Sequence, residues 1–289
     1  VAAAREIGLR LATGGIFFDP PGMDGEASQV RRAAAEGFFR RHAADPFVLA
    51  GVMPHGTYTV GPANLLSAMD IARAAGARVI DSPAPGPAAA RNAGVAAGSG
   101  EFVAFLDADD LWPADSLPAR LALLEATPDA AMVFGDCRQF DDAGDGKTRP
   151  HARTLFEQGG LGADFFGDAN RVVDPLDKLL DADFVTTGGV VMRRHAFEAL
   201  GGFDTSLALV EDLDLWLRCA ARFPLLWHPG LALLRRRHDS NLSRDTTAMQ
   251  HAYIDVLGRL AQWPQAQHLK ARIDALWPEV RDALRDVRV

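Results

Sequence analysis

Cysteine is scarce in this chain. Its 289 residues include two, Cys137 and Cys219, with no Cys-x-x-Cys spacing, which excludes a disulfide framework and a cysteine-built zinc site and points to a reducing compartment. No apolar run reaches membrane-spanning length and no signal-peptide pattern opens the sequence, so a cytoplasmic protein without a transmembrane segment is expected. Positive charge is also short: 30 Lys and Arg against 38 Asp and Glu give a net charge of -8. Arg235, Arg236 and Arg237 form the only notable basic cluster, which argues against a nucleic-acid partner. The eight histidines contain no His-x-His pair. Internal repeats and low-complexity segments are absent. What is left is ordinary globular composition, 48% hydrophobic and 24% charged, enough for one large domain or two small ones.

The stretch with most chemistry is EFVAFLDADDLW, residues 101–112. Residues 102–106 form a short apolar run after a Gly-Ser-Gly turn, the pattern of a strand buried on both faces of an α/β sheet. Asp107, Asp109 and Asp110 follow immediately. Ligands of open α/β sheets bind beyond the carboxyl ends of strands, and hard divalent cations take oxygen ligands. A strand ending in Asp-x-Asp therefore suits a metal-bound diphosphate, although Asp is equally at home in a solvated turn that caps the next helix.

Around this stretch the chain alternates. Residues 8–18 and 47–53 read as strands, and 29–42 and 62–76 as helices, an order found in pieces of (β/α) barrels. Residues 88–97 form a helix carrying Arg91 and Asn92, stopped by Gly98 and Gly100. Residues 113–127 form an amphipathic helix on Leu117, Leu121 and Leu124, and 130–134 a strand. Residues 148–173 have the least pattern and are expected to be a long loop. Beyond them come a short helix at 176–180, the Thr186-Thr187-Gly188-Gly189 turn, a strand at 190–192 and a helix at 194–200. Glu211 and Asp212 then open another helix, residues 225–233 read as a strand, and the chain ends in a helical tail from residue 246.

Four features occur in order: AARNAG, FLDADD, VEDLDLWLR and RRRHDSNLS. With the GGFD turn between them, they resemble the inverting family 2 glycosyltransferases of the GT-A fold over about residues 80–245. The resemblance implies a mixed α/β sheet with flanking helices and a hexosyl transfer from a nucleotide-sugar donor to an acceptor hydroxyl. It implies that Asp107 and Asp109 hold Mg²⁺ or Mn²⁺ on the donor diphosphate, with Asp109 the more direct ligand, and that His238 lies near the metal and diphosphate. Arg91 and Asn92 would lie by the nucleotide. The general base would be Asp212, with Glu211 the second choice. Ordinary helix capping would explain Glu211 and Asp212 as well.

Residues 1–79 read differently. The run GVMPHGTYTVGPANLLSAMDIARAAGAR resembles a segment of metal-dependent amidohydrolases of the chlorohydrolase and deaminase kind, in which His55 would contact substrate. That metal centre needs the missing His-x-His. The family 2 opening, with its Asp-Asp-Gly-Ser-like nucleotide loop, is not seen here. The chain thus reads as a composite of an amidohydrolase-like βα fragment (1–79), a glycosyltransferase-like domain (80–245) and a helical tail (246–289). Half of the nucleoside pocket is expected to be missing, which leaves an inactive remnant as a further reading. A sheet so truncated leaves backbone groups unpaired, so residues 47–53, with the helix at 62–76, are expected to fill the gap beside a strand at 78–80.

Overall fold

Two strands run side by side for most of their length and carry the sheet. In the computed structural model, which describes residues 11–17, 48–54, 80, 82–107, 110–113, 115–142, 148–237 and 246–276, these are β4 (Met132–Asp142) and β7 (Leu225–Arg237), paired in parallel. The Pro229-Gly230 pair interrupts β7. Register passes from Gly135↔His228 to Asp136↔Leu231, so the extra residues bulge out, as expected where proline cannot donate to the ladder. Two further strands, β6 (Val190–Arg193) and β5 (Thr148–Pro150), lie antiparallel to different stretches of β4, and β3 (Phe102–Ala104) lies antiparallel to β6. The order is β3-β6-β4-β5, with β7 on β4.

Helices cover both faces. The helix α2 (Ser116–Glu125) presents Leu117, Leu121 and Leu124 at helical spacing to Val133, Val191 and Leu226. On the other side Met132, Phe134, Val190 and Met192 join the main core with Leu213, Trp216 and Leu217 of α7 (Glu211–Ala220). The helix α1 (Pro87–Ala97) starts with proline in its first turn, where the missing N–H is not needed. No helix among the described residues is long and apolar enough to cross a membrane.

Several expectations change here. Residues 148–173 are not a long loop: they hold β5, α3 (Leu155–Gly159) and α4 (Ala163–Phe166). A capping box starts α3, with Thr154 accepting from the Glu157 N–H and Glu157 accepting from the Thr154 N–H, a signature legible in the Thr-x-x-Glu spacing. The strands expected at 130–134 and 225–233 run on to Asp142 and Arg237, because each supplies the other's backbone partners.

The expected gap-filling also comes out differently. β2 (Val48–Pro54) pairs in parallel with β1 (Leu11–Phe17), as a separate two-stranded sheet. Ile80 has no strand conformation and is 40% exposed. An upstream strand thus satisfies β2. The expected helices at 29–42 and 62–76, His55 and residues 78–79 lie outside the described residues.

The remaining helices are α5 (Pro175–Asp181), α6 (Arg194–Ala199) and α8 (Thr246–Leu260), the last followed by a 3₁₀ turn, Pro264–Leu269.

Candidate active site

The carboxyl end of β3 and the amino end of α7 are joined by one side chain. Arg91, from α1, donates Nη2–H to Asp107 Oδ1 at 2.8 Å and Nη1–H to Glu211 Oε1 at 2.6 Å. Asp107 keeps a side chain 49% exposed, while that of Glu211 is 9% exposed. Burial by itself would lower the Arg91 pKa, but Asp107, then Glu211 and Asp212, outweigh it and raise it. Glu211 shifts upward, mainly through burial and then through the adjacent Asp212, against the pull of Arg91.

Asp212 is held from two sides. The Thr187 hydroxyl donates to its Oδ2 at 2.7 Å, and the Leu213 N–H donates to its Oδ1 at 2.9 Å. Neither acid caps the helix: Val210 occupies the N-cap. Val210 does so at φ 53°, left-handed backbone that a β-branched residue rarely adopts and that is typical of strained functional sites. The three acids Glu211, Asp212 and Asp214 in the first turn face a favourable helix dipole.

A tight frame keeps these groups in register. Asn92 clamps Phe203 through both its amide and its carbonyl, donating to Phe203 O at 2.8 Å and accepting from Phe203 N at 2.9 Å. Gly202, at φ 71°, must be glycine: a Cβ there would sit 2.7 Å from Asn92 Oδ1. Arg218 pairs with Asp214 at 2.6 Å and donates to Leu200 O and Gly202 O, fixing the same turn onto α7. Asn92 thus braces α1 against the 201–204 turn.

Of the three clustered aspartates, Asp110 is turned inward. It is 7% exposed and accepts from the Arg236 N–H at 2.9 Å, while Leu111 exchanges backbone hydrogen bonds with Leu234 at 2.9 and 2.8 Å. Asp110 and Leu111 are thus docked on β7. Asp109 and His238 lie outside the described residues, and among the described residues no three His, Cys, Asp or Glu side chains gather around a metal-sized point. The chemistry of the donor set still fits Mg²⁺ or Mn²⁺: a half-exposed carboxylate at a strand end suits an ion that takes one or two protein oxygens and completes its shell with phosphates and water. An open cleft of about 760 Å³ lies beside this frame, between the 200–205 turn and the end of α8, lined by Asn92, Asp204, Arg218, Arg259 and Trp263 among others.

Sequence reasoning missed Thr187 and Asp183. The TTGG turn signalled a bend but not the hydroxyl that reaches Asp212. Asp183 is exposed at the surface, but desolvation by the protein around its carboxylate, with the charge of Asp212, pushes its pKa up to about 7 against the pull of Arg235. An unfolded Asp ionises near 4, so the folded state is penalised increasingly from pH 4 to 7 and fully above 7. Asp183→Asn is therefore expected to raise stability at pH 8, by about 1 kcal/mol once solvent screening at its open face is allowed for, and to change little at pH 5. Thermal melts of both proteins at the two pH values check this; an equal difference at both would refute it.

Comparison with known proteins bears on the family and the fold. A family model described as glycosyltransferase like family 2 matches residues 67–268, running across residue 80, where a join is expected from the sequence. The pre-mycofactocin glycosyltransferase of Mycobacterium tuberculosis, in two strains, is 30% identical over 168 residues, 58% of this chain and 33% of the relative. The chain thus spans about a third of the length of the curated relatives it matches. Among solved structures, TarS of S. aureus in complex with UDP-GlcNAc superposes with a TM-score of 0.55 at 11% identity, covering 92% of this chain and 70% of that one. The mannosyltransferase PcManGT of Pyrobaculum calidifontis, in complex with GDP-Man and Mn²⁺, gives 0.56 at 14% identity, covering 96% and 73%. The shared fold is the mixed α/β sheet with flanking helices of GT-A glycosyltransferases. None of these matches supports the amidohydrolase-like reading of residues 1–79. Because the family model takes in well over half of the chain, this protein belongs to the family 2-like glycosyltransferases.

Proposed function

We propose that the chain transfers a hexosyl group from a nucleotide-sugar donor to an acceptor hydroxyl, with inversion at the anomeric carbon and with a divalent cation. The observation that carries this reading is the convergence of Asp107, Arg91, Glu211 and Asp212 from three separate elements on one place, through contacts of 2.6 and 2.8 Å at Arg91. The solved neighbours were captured with UDP-GlcNAc and with GDP-Man and Mn²⁺, which supports a nucleoside diphosphate donor and leaves base and sugar open.

In this reading Asp212 is the base. Each of its oxygens accepts one hydrogen bond, from Thr187 or from the Leu213 N–H, which fixes the carboxylate while leaving a lone pair for an acceptor proton. Glu211 is less suited, being committed to Arg91. As the acceptor oxygen bonds to the anomeric carbon, its proton passes to Asp212 and the bond from that carbon to the diphosphate oxygen breaks. A single displacement of this kind inverts the carbon and needs one base. Asp107, with Asp109, would hold a Mg²⁺ or Mn²⁺ ion that, when bound, neutralises charge on the leaving diphosphate as a Lewis acid.

A thermal-shift titration with Mn²⁺ and a panel of nucleoside diphosphates tests the donor half of the proposal. Binding at a hundred times the dissociation constant adds about 2.7 kcal/mol of stability, several degrees for a protein of this size. Asp107→Asn is expected to remove the metal-dependent part of the shift. A wild-type transition that no nucleoside diphosphate moves in the presence of Mn²⁺ would overturn the donor assignment.

A further inference from the structure

Arg91 divides one guanidinium between two carboxylates that the proposed reaction uses for different ends. Asp107 stands on the donor side and Glu211 opens the helix that carries Asp212. The planar fork of arginine can satisfy both at once, and its position is set from a third direction by the Phe203 ring, 5.4 Å away, which Asn92 pins by its backbone. With a side chain 15% exposed, the guanidinium has little room to leave.

We propose that Arg91 is a positioning residue that holds the place of the donor's cation: its guanidinium neutralises Asp107 until the donor binds and makes binding of the metal and of the nucleoside diphosphate mutually dependent. The inference rests on the glycosyltransferase reading above. Its physical basis is like-charge repulsion. A divalent ion on Asp107 meets a positive group already bonded to that carboxylate, in a partly desolvated place where charges interact more strongly than in water. Metal alone therefore binds weakly. A diphosphate brings the negative charge that lets guanidinium and ion coexist, so each ligand strengthens the other by the same factor. The second N–H of Arg91 remains on Glu211 and keeps α7 in place.

The test is a Mn²⁺ titration, followed by the electron paramagnetic resonance of the free ion, with and without UDP or GDP. Wild type is expected to bind Mn²⁺ at least tenfold more tightly with nucleotide present. Arg91→Met, which keeps bulk against Phe203 but removes the charge, is expected to bind Mn²⁺ alone about five- to tenfold more tightly and to lose most of that enhancement. Arg91→Lys keeps the charge and should retain weak binding of the ion alone. Glu211→Gln leaves the guanidinium to Asp107 and should weaken Mn²⁺ binding further, which provides a reading even if Arg91→Met folds poorly. If Arg91→Met binds Mn²⁺ no more tightly and loses affinity only for nucleotide, Arg91 is a nucleotide contact and the inference is wrong while the glycosyltransferase reading stands. If neither wild type nor variant binds Mn²⁺ with or without nucleotide, the inference and the metal dependence fall together.

Discussion

Asp212→Asn is expected to lower turnover by about 10²–10⁴-fold, the usual contribution of a positioned general base, with little effect on donor affinity. Asn has nearly the same shape, and its carbonyl can still accept from Thr187 Oγ, which donates to Asp212 Oδ2 at 2.7 Å, although its NH₂ cannot accept from the Leu213 N–H as Oδ1 does at 2.9 Å. What disappears besides that one bond is the capacity to take a proton. Glu211→Gln is expected to differ in kind. It removes the anion that pairs with Arg91 at 2.6 Å, so stability should fall along with rate. Thr187→Val lies between: Asp212 keeps its charge but loses its orienting hydroxyl, and a loss nearer tenfold follows from one lost hydrogen bond of about 1–1.5 kcal/mol. Steady-state rates with a nucleotide-sugar donor, beside donor affinities from titration, separate these cases. Full turnover by Asp212→Asn would remove Asp212 from the role of base.

How much of this could be read before the structure depends on how far each contact reaches along the chain. The strand that precedes Asp107 and the helix opened by Glu211 and Asp212 were legible because local pattern specifies both: an unbroken apolar run before three acids, and apolar residues at helical spacing after two. The capping box at Thr154 and Glu157 was equally local and was overlooked inside a segment that looked patternless. Arg91 stood out in its Arg-Asn pair, but its partners were not legible. Nothing in the sequence around residue 91 says that its guanidinium spans Asp107 and Glu211, or that its neighbour Asn92 faces Phe203. Asp110 resembled Asp107 in sequence and differs only because β7 runs on past residue 233 to meet it. The lengths of β4 and β7 were themselves hidden, since each strand persists as long as the other offers backbone partners. Asp183 had no sequence signal: its raised pKa comes from enclosure and from Asp212, both properties of the fold.

Arg120→Ala should cost about 3–5 kcal/mol of stability, a larger loss than an average substitution. Arg120 is 0% exposed, and among the described residues no carboxylate pairs with it. Its Nε–H donates to Ser116 O at 3.0 Å, Nη1–H to Gly189 O at 2.6 Å, and Nη2–H to Ser116 Oγ and Ala232 O, both at 3.4 Å. Carbonyl dipoles from α2, the TTGG turn and β7 thus solvate one buried cation. Burial lowers its pKa to about 10, which still leaves it charged at neutral pH. The sign follows from linkage: the unfolded chain holds this proton more firmly, so raising pH favours folding only above about 10, and no pH dependence from this group is expected between pH 5 and 8. Burying the charge has its own desolvation cost, which Arg120→Ala relieves. Against that gain stand a cavity the size of an arginine side chain and two buried carbonyls, Gly189 and Ala232, left without this donor, at about 1–3 kcal/mol each. Arg120→Met fills the space without donating, so the loss should shrink to about 1–2 kcal/mol. The TTGG turn also carries Thr187, and Gly188 and Gly189 pack where a Cβ would meet Leu233 at 2.7 Å and Thr186 at 2.9 Å. Releasing Gly189 from Arg120 should therefore move Thr187 relative to Asp212, and turnover of Arg120→Met should fall more than its stability implies. Urea unfolding of the three proteins at pH 7, with turnover measured where each is fully folded, tests both parts. An Arg120→Ala protein as stable as wild type would show that the guanidinium is dispensable to the turn.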